Sequence, residues 1–172
     1  KEQAVEMLSE CGHQIERMDT FVETMRKLNS LESRRMISGE ISMGQLETEI
    51  QAMLAVLEKE YGRQYILQVS ESEKGFCGDL EIILEVAENL MSNAFRYGKQ
   101  QVVIMVKTGY LELQICVRDD GEGFREEAEK ITEAFHGKNM KDSLKHAGIG
   151  MYISRLYCEK HGGRLILEND EQ

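Results

Sequence analysis

The sequence predicts an α+β fold, a two-layer α/β sandwich in which helices cover one face of a sheet, preceded by a long N-terminal helix. Three observations carry this. Glu85–Gly98 winds into a helix with a single apolar stripe. The segment after Thr108-Gly109 alternates apolar and polar residues. From residue 41 onward the elements run helix, strand, helix, hairpin, loop, helix, strand.

Ala4, Leu8, Cys11, Ile15, Met18, Val22, Met25 and Leu28 follow one another in steps of mostly four and three, a heptad seam kept for three repeats, with Gly12 off the seam. A narrow seam with charged flanks favours pairing with a helix of another chain over packing on its own domain. Ser38-Gly39 breaks the pattern and divides the chain into residues 1–40 and a body at 41–172. In the body, Gln45–Tyr61 is the first helix, with Leu46, Ile50, Met53, Leu54 and Leu57 on one side and Gly62 placed to end it. Tyr65–Ser70 is a strand. Asp79 suits the N-cap of the next helix, on which Ile83, Ala87, Leu90, Met91 and Ala94 share one face while Asn89, Asn93 and Arg96 fall nearly opposite. Two strands follow around a turn at Thr108-Gly109. In the second, Leu111, Leu113, Ile115 and Val117 alternate with Glu112, Gln114, Cys116 and Arg118, so only one sheet face is strongly apolar. Met151–Lys160 is the last helix.

With 172 residues the chain holds one domain with a sizeable core, or a domain plus an appendage. Its 41% apolar and 30% charged residues are ordinary for a soluble globular protein, and a net charge of -10 argues against a general nucleic-acid binder, which needs a basic face. No apolar run is long enough to span a bilayer and no signal peptide opens the chain. Lys1 is not a natural start, so the expectation is an excised piece whose membrane segment, if any, lies upstream. Cys11, Cys77, Cys116 and Cys158 form no CxxC and sit within apolar patterns, which predicts reduced, buried thiols and no zinc site. Pro is absent.

Three features carry chemistry. Asn89 and Asn93, four residues apart on a helix and followed by Arg96, offer carbonyl oxygens to a hard metal ion and a positive charge to an anion; a solvated helix face explains the same residues. Asp119-Asp120-Gly121-Glu122-Gly123 closes a strand, where the sheet fixes the Asp119 carboxylate to accept from an exocyclic amine and the glycines let backbone approach a ligand. Acidic glycine-rich turns also occur as plain surface loops and calcium-loop fragments. Gly148-Ile149-Gly150 opens a helix, where unpaired N–H groups suit a phosphate.

The ordered set Asn89-xxx-Asn93, Asp119-x-Gly121-x-Gly123, Ala134-Phe135 and Gly148-x-Gly150 resembles the N, G1, F and G2 boxes of the sensor histidine kinase ATP-binding domain, whose wider relatives are the gyrase, Hsp90 and MutL ATPases. The resemblance covers roughly residues 44–168, and Arg17–Leu31 is similar to the second helix of the kinase dimerisation domain. Each box is weak alone; four in order are specific. The resemblance implies ATP and Mg²⁺ as ligands. Asn93 would bind the metal, with Asn89 beside it on metal or phosphate, Arg96 on phosphate and Tyr97 lining the nucleotide pocket. Asp119 would read the adenine amine, and Gly121 and Gly123 would shape the pocket wall. Phe135, Lys138, His146, Gly148, Gly150 and Met151 would belong to the F box, the lid at 136–147 and its far end. His146 stands where the family has a glycine, and Ala147 and Met151 replace commoner residues. Lysines in a loop are equally well read as solvated.

The resemblance further implies a γ-phosphoryl transfer from Mg·ATP to a histidine on an upstream helix and thence to a response-regulator aspartate. No catalytic histidine is expected in this chain. His13 is followed by Gln14 and lacks the family's acidic neighbour and proline, so it reads as a solvated surface residue; His161, before Gly162-Gly163, reads as a helix-end residue favoured as a cation. The expected partners are a second copy through the N-terminal helix and a response regulator, with no nucleic acid. The expected setting is the cytoplasmic part of a membrane-anchored protein. The family has one more strand after Glu168, so the sheet is expected to lack an edge. Another ATPase or serine kinase of the same fold, or a degenerate interaction module, are the other readings.

Overall fold

Ladder register and helix caps fix the frame of the body. The computed structural model describes residues 35–71, 76–109, 112–124 and 149–169 and, before them, Met7, Cys11, Gly12, Gln14, Ile15, Met18, Val22, Met25, Arg26 and Asn29, each of which is helical. The elements are β1 (Gly39–Ile41), α1 (Met43–Tyr61), β2 (Gln64–Glu71), β3 (Phe76–Gly78), α2 (Leu80–Tyr97), β4 (Gln101–Gly109), β5 (Glu112–Asp119) and α3 (Ile149–Lys160). β4 is the middle strand of a three-stranded sheet, parallel to β2 and antiparallel to β5, and β1 pairs antiparallel with β3 in a separate ribbon. The β4–β5 ladder runs to Gly109 opposite Glu112, so Thr108-Gly109 belongs to the end of the strand.

One sheet face is the core face. Val102, Ile104 and Val106 of β4 are buried beneath Leu46, Ile50 and Leu54 of α1 and Ala87, Met91, Ala94 and Phe95 of α2, with Tyr65, Leu67, Val69, Leu113, Ile115 and Val117 packed around them. A second cluster joins α2 to α3 through Ile82, Val86, Ile153 and Tyr157, with Met36 and Leu90 partly buried against it. Leu90 therefore belongs to the seam between the two helices, and the buried side of α2 is wider than a single stripe. This is the expected two-layer sandwich. The expected strand after α3 is not formed: residues 163–169 join no ladder among the described residues.

The caps follow the chemistry of their residues. Gly62 ends α1 in the left-handed conformation, φ 67°, with its N–H on the Glu58 carbonyl. Asp79, 3% exposed, caps α2 by accepting from the Ile82 N–H at 3.3 Å, and its other oxygen accepts from the Ile37 N–H at 3.0 Å. The Asp79 N–H donates to His161 Nε2 at 3.2 Å, and His161 Nδ1 lies 3.0 Å from the Tyr157 carbonyl. A backbone N–H can only donate, so His161 Nε2 is the acceptor that ties the end of α3 to the N-cap of α2. Asp79→Ala removes a cap and a second buried acceptor, and a loss of about 2 kcal/mol is expected in urea unfolding; no measurable loss would mean that neither bond persists in solution.

The cysteines depart from expectation. All four are free, but Cys11, Cys77 and Cys116 are exposed and Cys158 is half-buried. Cys116 shares the outward parity of β5 with Gln114 and Arg118, and alternation alone turns it away from the core. Burial, and then the neighbouring Glu159 charge, push the Cys158 thiol above its ordinary value.

Candidate functional site

α2 brings the asparagines against α3. Asn89 Nδ2 donates to Ser154 Oγ at 3.3 Å, and Ser154 is fully buried. With Nδ2 so engaged, the Asn89 carbonyl oxygen faces Gly150, where an added methyl would stand 3.5 Å from it. Two motifs far apart in sequence thus share one contact. Asn93 and Arg96, on the same side of α2, are half-buried and make no hydrogen bond among the described residues; Tyr97 is 66% exposed. Half-buried, the Asn93 and Arg96 side chains are reachable from solvent and free to meet water or a ligand.

The end of β5 packs on the end of α2. Asp119 is exposed; its Oδ1 accepts from the Gly121 N–H at 2.8 Å, and among the described residues its Oδ2 accepts nothing. Gly121 tolerates no side chain, since a methyl there would stand 2.5 Å from Asp119 Oδ1 and 2.6 Å from the Tyr97 carbonyl oxygen. Close approach rather than a special φ demands this glycine. Past Gly123, Asn169 closes the loop in both directions, accepting from the Phe124 N–H at 2.7 Å and donating to its carbonyl at 2.8 Å. Nothing in the sequence marks Asn169 for this role. Ser154, one turn after Gly150 on the same helix face, carried a signal that spacing could have found.

Strand alternation points Asp120 to the other face from Asp119, where substitution is expected to be far more tolerated. Instead its carboxylate gathers three consecutive backbone N–H groups: Lys99 at 2.6 Å and Gln100 at 3.0 Å on Oδ1, Gln100 again at 3.0 Å and Gln101 at 3.3 Å on Oδ2. The bond from Gln100, then that from Lys99, hold its pKa below the ordinary 3.8. Alternation had turned this side chain away from Asp119's face; the turn after α2 is what it meets there.

The donor set can be tested for a metal. Among the described residues no group of three or more His, Cys, Asp or Glu is placed to hold one. Two carboxamide oxygens of Asn89 and Asn93 are hard, neutral ligands, suited to Mg²⁺, which keeps waters and substrate phosphates as most of its shell. The residues fit on those terms. Gly150, in the first turn of α3, lies against Asn89, and Met151 follows it; both are half-buried. Phe135, Lys138, His146 and Gly148 lie outside the described residues, as does His13.

Residues 78–172 match the family model described as histidine kinase-, DNA gyrase B-, and HSP90-like ATPase. The chain is similar to the sensor protein kinase CarS of Pseudomonas aeruginosa, 32% identical over 92 residues that cover 53% of this chain and 20% of that protein. Among solved structures it resembles the catalytic domain of histidine kinase ThkA, with a TM-score of 0.66 at 21% identity over 80% of this chain and 90% of that one. It also resembles full-length ShkA in complex with AMPPNP, with a TM-score of 0.69 at 18% identity over 94% of this chain and 34% of that one. These two likenesses speak for the fold. The chain spans 16% to 35% of the length of the curated relatives it matches.

Proposed function

Since the chain belongs to the histidine kinase-, DNA gyrase B- and HSP90-like ATPase family, we propose that residues 41–172 bind Mg·ATP as the catalytic domain of a two-component sensor histidine kinase, with residues 1–40 as the remnant of its dimerisation helix. The observation that carries this reading is the convergence of three separated motifs around α2: Asn89 on the opening of α3, and Tyr97 on the Asp119–Gly121 turn. In this reading Asn93, with Asn89, holds Mg²⁺, which neutralises phosphate charge when bound. Arg96 meets a phosphate and Tyr97 lines the base pocket. The Asp119 Oδ2 accepts from the adenine amine while Oδ1 stays on Gly121. Gly121 and Gly123 keep the wall close, and Gly150 and Met151, with Gly148, His146, Lys138 and Phe135, complete the phosphate side.

Phosphoryl transfer is mostly positioning and charge stabilisation, so a domain that carries no nucleophile of its own is chemically sufficient. The acceptor in this reading is a histidine on an upstream helix, which then passes the phosphoryl group to a response-regulator aspartate. The setting is the cytoplasmic part of a membrane-anchored protein; no helix among the described residues is long and apolar enough to cross a membrane.

Base selectivity tests the site. An ionised carboxylate accepts only, so Asp119 pairs with the adenine amine but opposes the carbonyl that guanine presents. A charge-assisted bond of this kind is worth roughly 1.5–3 kcal/mol, or about ten- to a hundredfold in affinity. ADP is expected to displace a fluorescent nucleotide at least tenfold more effectively than GDP (the lower end of that range), and Asp119→Ala to close most of the gap. Equal affinity for the two bases in the parent protein would remove the adenine pocket.

The N-terminal seam supports the dimer. Ile15, Met18 and Val22 are 62%, 69% and 53% exposed in the single chain, a stripe that a second helix would cover. Ile15→Glu with Val22→Glu is expected to convert a dimer to a monomer in sedimentation equilibrium. A parent chain that already sediments as a monomer at every concentration would sink this assignment.

A further inference from the structure

α2 and β5 carry the two ends of the proposed nucleotide site, Asn93 on the helix and Asp119 at the strand end. What holds these ends in one geometry is a question the ladder does not answer, because its last pair is Val102 with Asp119. α2 also ends without the left-handed cap that closes α1. Gly98 is extended, φ -60° and ψ 160°, and among the described residues its N–H bonds back to the Ala94 carbonyl. A helix end of this kind frays unless something beyond it is fixed.

From Asp120, immediately after the ladder's last residue, we infer a positioning role: its carboxylate braces the turn after α2 to the end of β5, and so sets the distance between the metal side and the base side of the nucleotide site. The inference rests on the nucleotide reading above for its consequence, but not for its geometry. Three successive N–H groups, of Lys99, Gln100 and Gln101, converge on this one side chain. They form an anion-binding concavity of the sort that elsewhere receives a phosphate, here filled by the protein itself. The turn they belong to is pinned on its other flank too. A methyl at Gly98 would stand 2.7 Å from the Ala94 carbonyl oxygen, 3.2 Å from Asp119 Cβ and 3.5 Å from Asp120 Oδ1, so the helix end lies directly on both aspartates. Tyr97 meanwhile presses its carbonyl on Gly121. Two adjacent acids thus divide the work. Asp119 keeps one oxygen for the ligand, and Asp120 turns both of its oxygens to the backbone.

Only an acceptor fits this concavity. Asn at position 120 would turn an amide N–H toward one of the three donors, so Asp120→Asn is expected to behave as a partial loss and Asp120→Ala as a full one. The test is competition binding of ADP and GDP to the whole chain with Mg²⁺. Asp120→Ala is expected to weaken ADP by about tenfold and to narrow the ADP-to-GDP ratio, and Asp120→Asn to fall between. Formate at matched ionic strength is expected to restore ADP affinity to Asp120→Ala by occupying the vacated concavity, and to do nothing for Asp119→Ala. A structural defect without positioning would lower both nucleotides equally and would not respond to formate; that result, or unchanged affinity in Asp120→Ala, overturns the inference.

Amide exchange of the nucleotide-free protein separates failure of the brace from failure of the nucleotide reading. In Asp120→Ala, exchange is expected to quicken at residues 99–101 and also at Gly121 across the contact. Quickening confined to residues 99–101 would make Asp120 a turn cap and nothing more. If the parent shows no preference for ADP, the nucleotide reading falls, and the exchange pattern still decides the brace.

Discussion

Asn93→Ala is expected to weaken Mg·ATP binding by about a hundredfold and to abolish its dependence on magnesium. Outer partners of a metal ligand are typically worth 10–100-fold in metal affinity, and loss of a ligand itself reaches at least the upper end of that range. The fold is expected to survive, because the side chain is half-buried on the side of α2 away from the sheet and bonds to nothing among the described residues. Alanine is also the better helix former by up to roughly 0.7 kcal/mol, so the melting temperature is expected to hold or rise slightly. Titration with ATP in magnesium and in chelator, beside a thermal melt, separates the two effects. A variant that binds Mg·ATP as tightly as the parent would show that Asn93 holds no metal.

The largest effect on stability is expected from Phe95→Ala, a loss of about 3–5 kcal/mol. Phe95 is fully buried between α1 and the sheet, with the Tyr61 ring 6.4 Å away at 53°, a tilted pair. Truncation removes the ring's burial and leaves a cavity that α1 and α2, both packed on the sheet, close only in part. Against a total stability of about 5–15 kcal/mol for a domain, that is roughly three-tenths or more in the weaker half of the range. Urea unfolding measures it directly. Tyr97→Ala, two residues on but 66% exposed, is the control and is expected to stay within roughly 0.5 kcal/mol. A loss below about 1 kcal/mol for Phe95→Ala would place the ring outside the core.

Much of this architecture was legible in the sequence, and the reasons are physical. A period of two in Leu113, Ile115 and Val117 and a helical period in Ile83, Ala87, Met91 and Ala94 each report which side faces the core, and both report correctly. Asp79 and Gly62 announced their caps because so few residue types serve there. Phe95, four residues after Met91, extends the sheet-side stripe toward α1 and was left out of it, whereas Ile82, Val86 and Leu90 were obscured because α2 is also buried toward α3 and periodicity detects one stripe. The exposed cysteines were misread because an apolar neighbourhood in sequence is not one in space. At the site, the asparagines and Asp119 could be picked out by residue type and spacing. Asp120 and Asn169 could not, since their partners are backbone groups brought near only by the fold, and a backbone N–H leaves no mark in a sequence.

The parallel pairing of β2 with β4 bears on how the chain reaches this arrangement. β4 and β5 are neighbours in sequence and close their ladder at small entropic cost. β2 must find β4 across β3, the whole of α2 and the turns on either side, so its ladder forms only after a much longer loop has been closed. The α2–β4–β5 unit, which carries Asn93, Asp119 and Asp120, is therefore the local part of the topology, and β2 with α1 is the part that arrives from a distance. The α2 and β5 residues of the proposed nucleotide site sit in the half of the body that is cheapest to assemble.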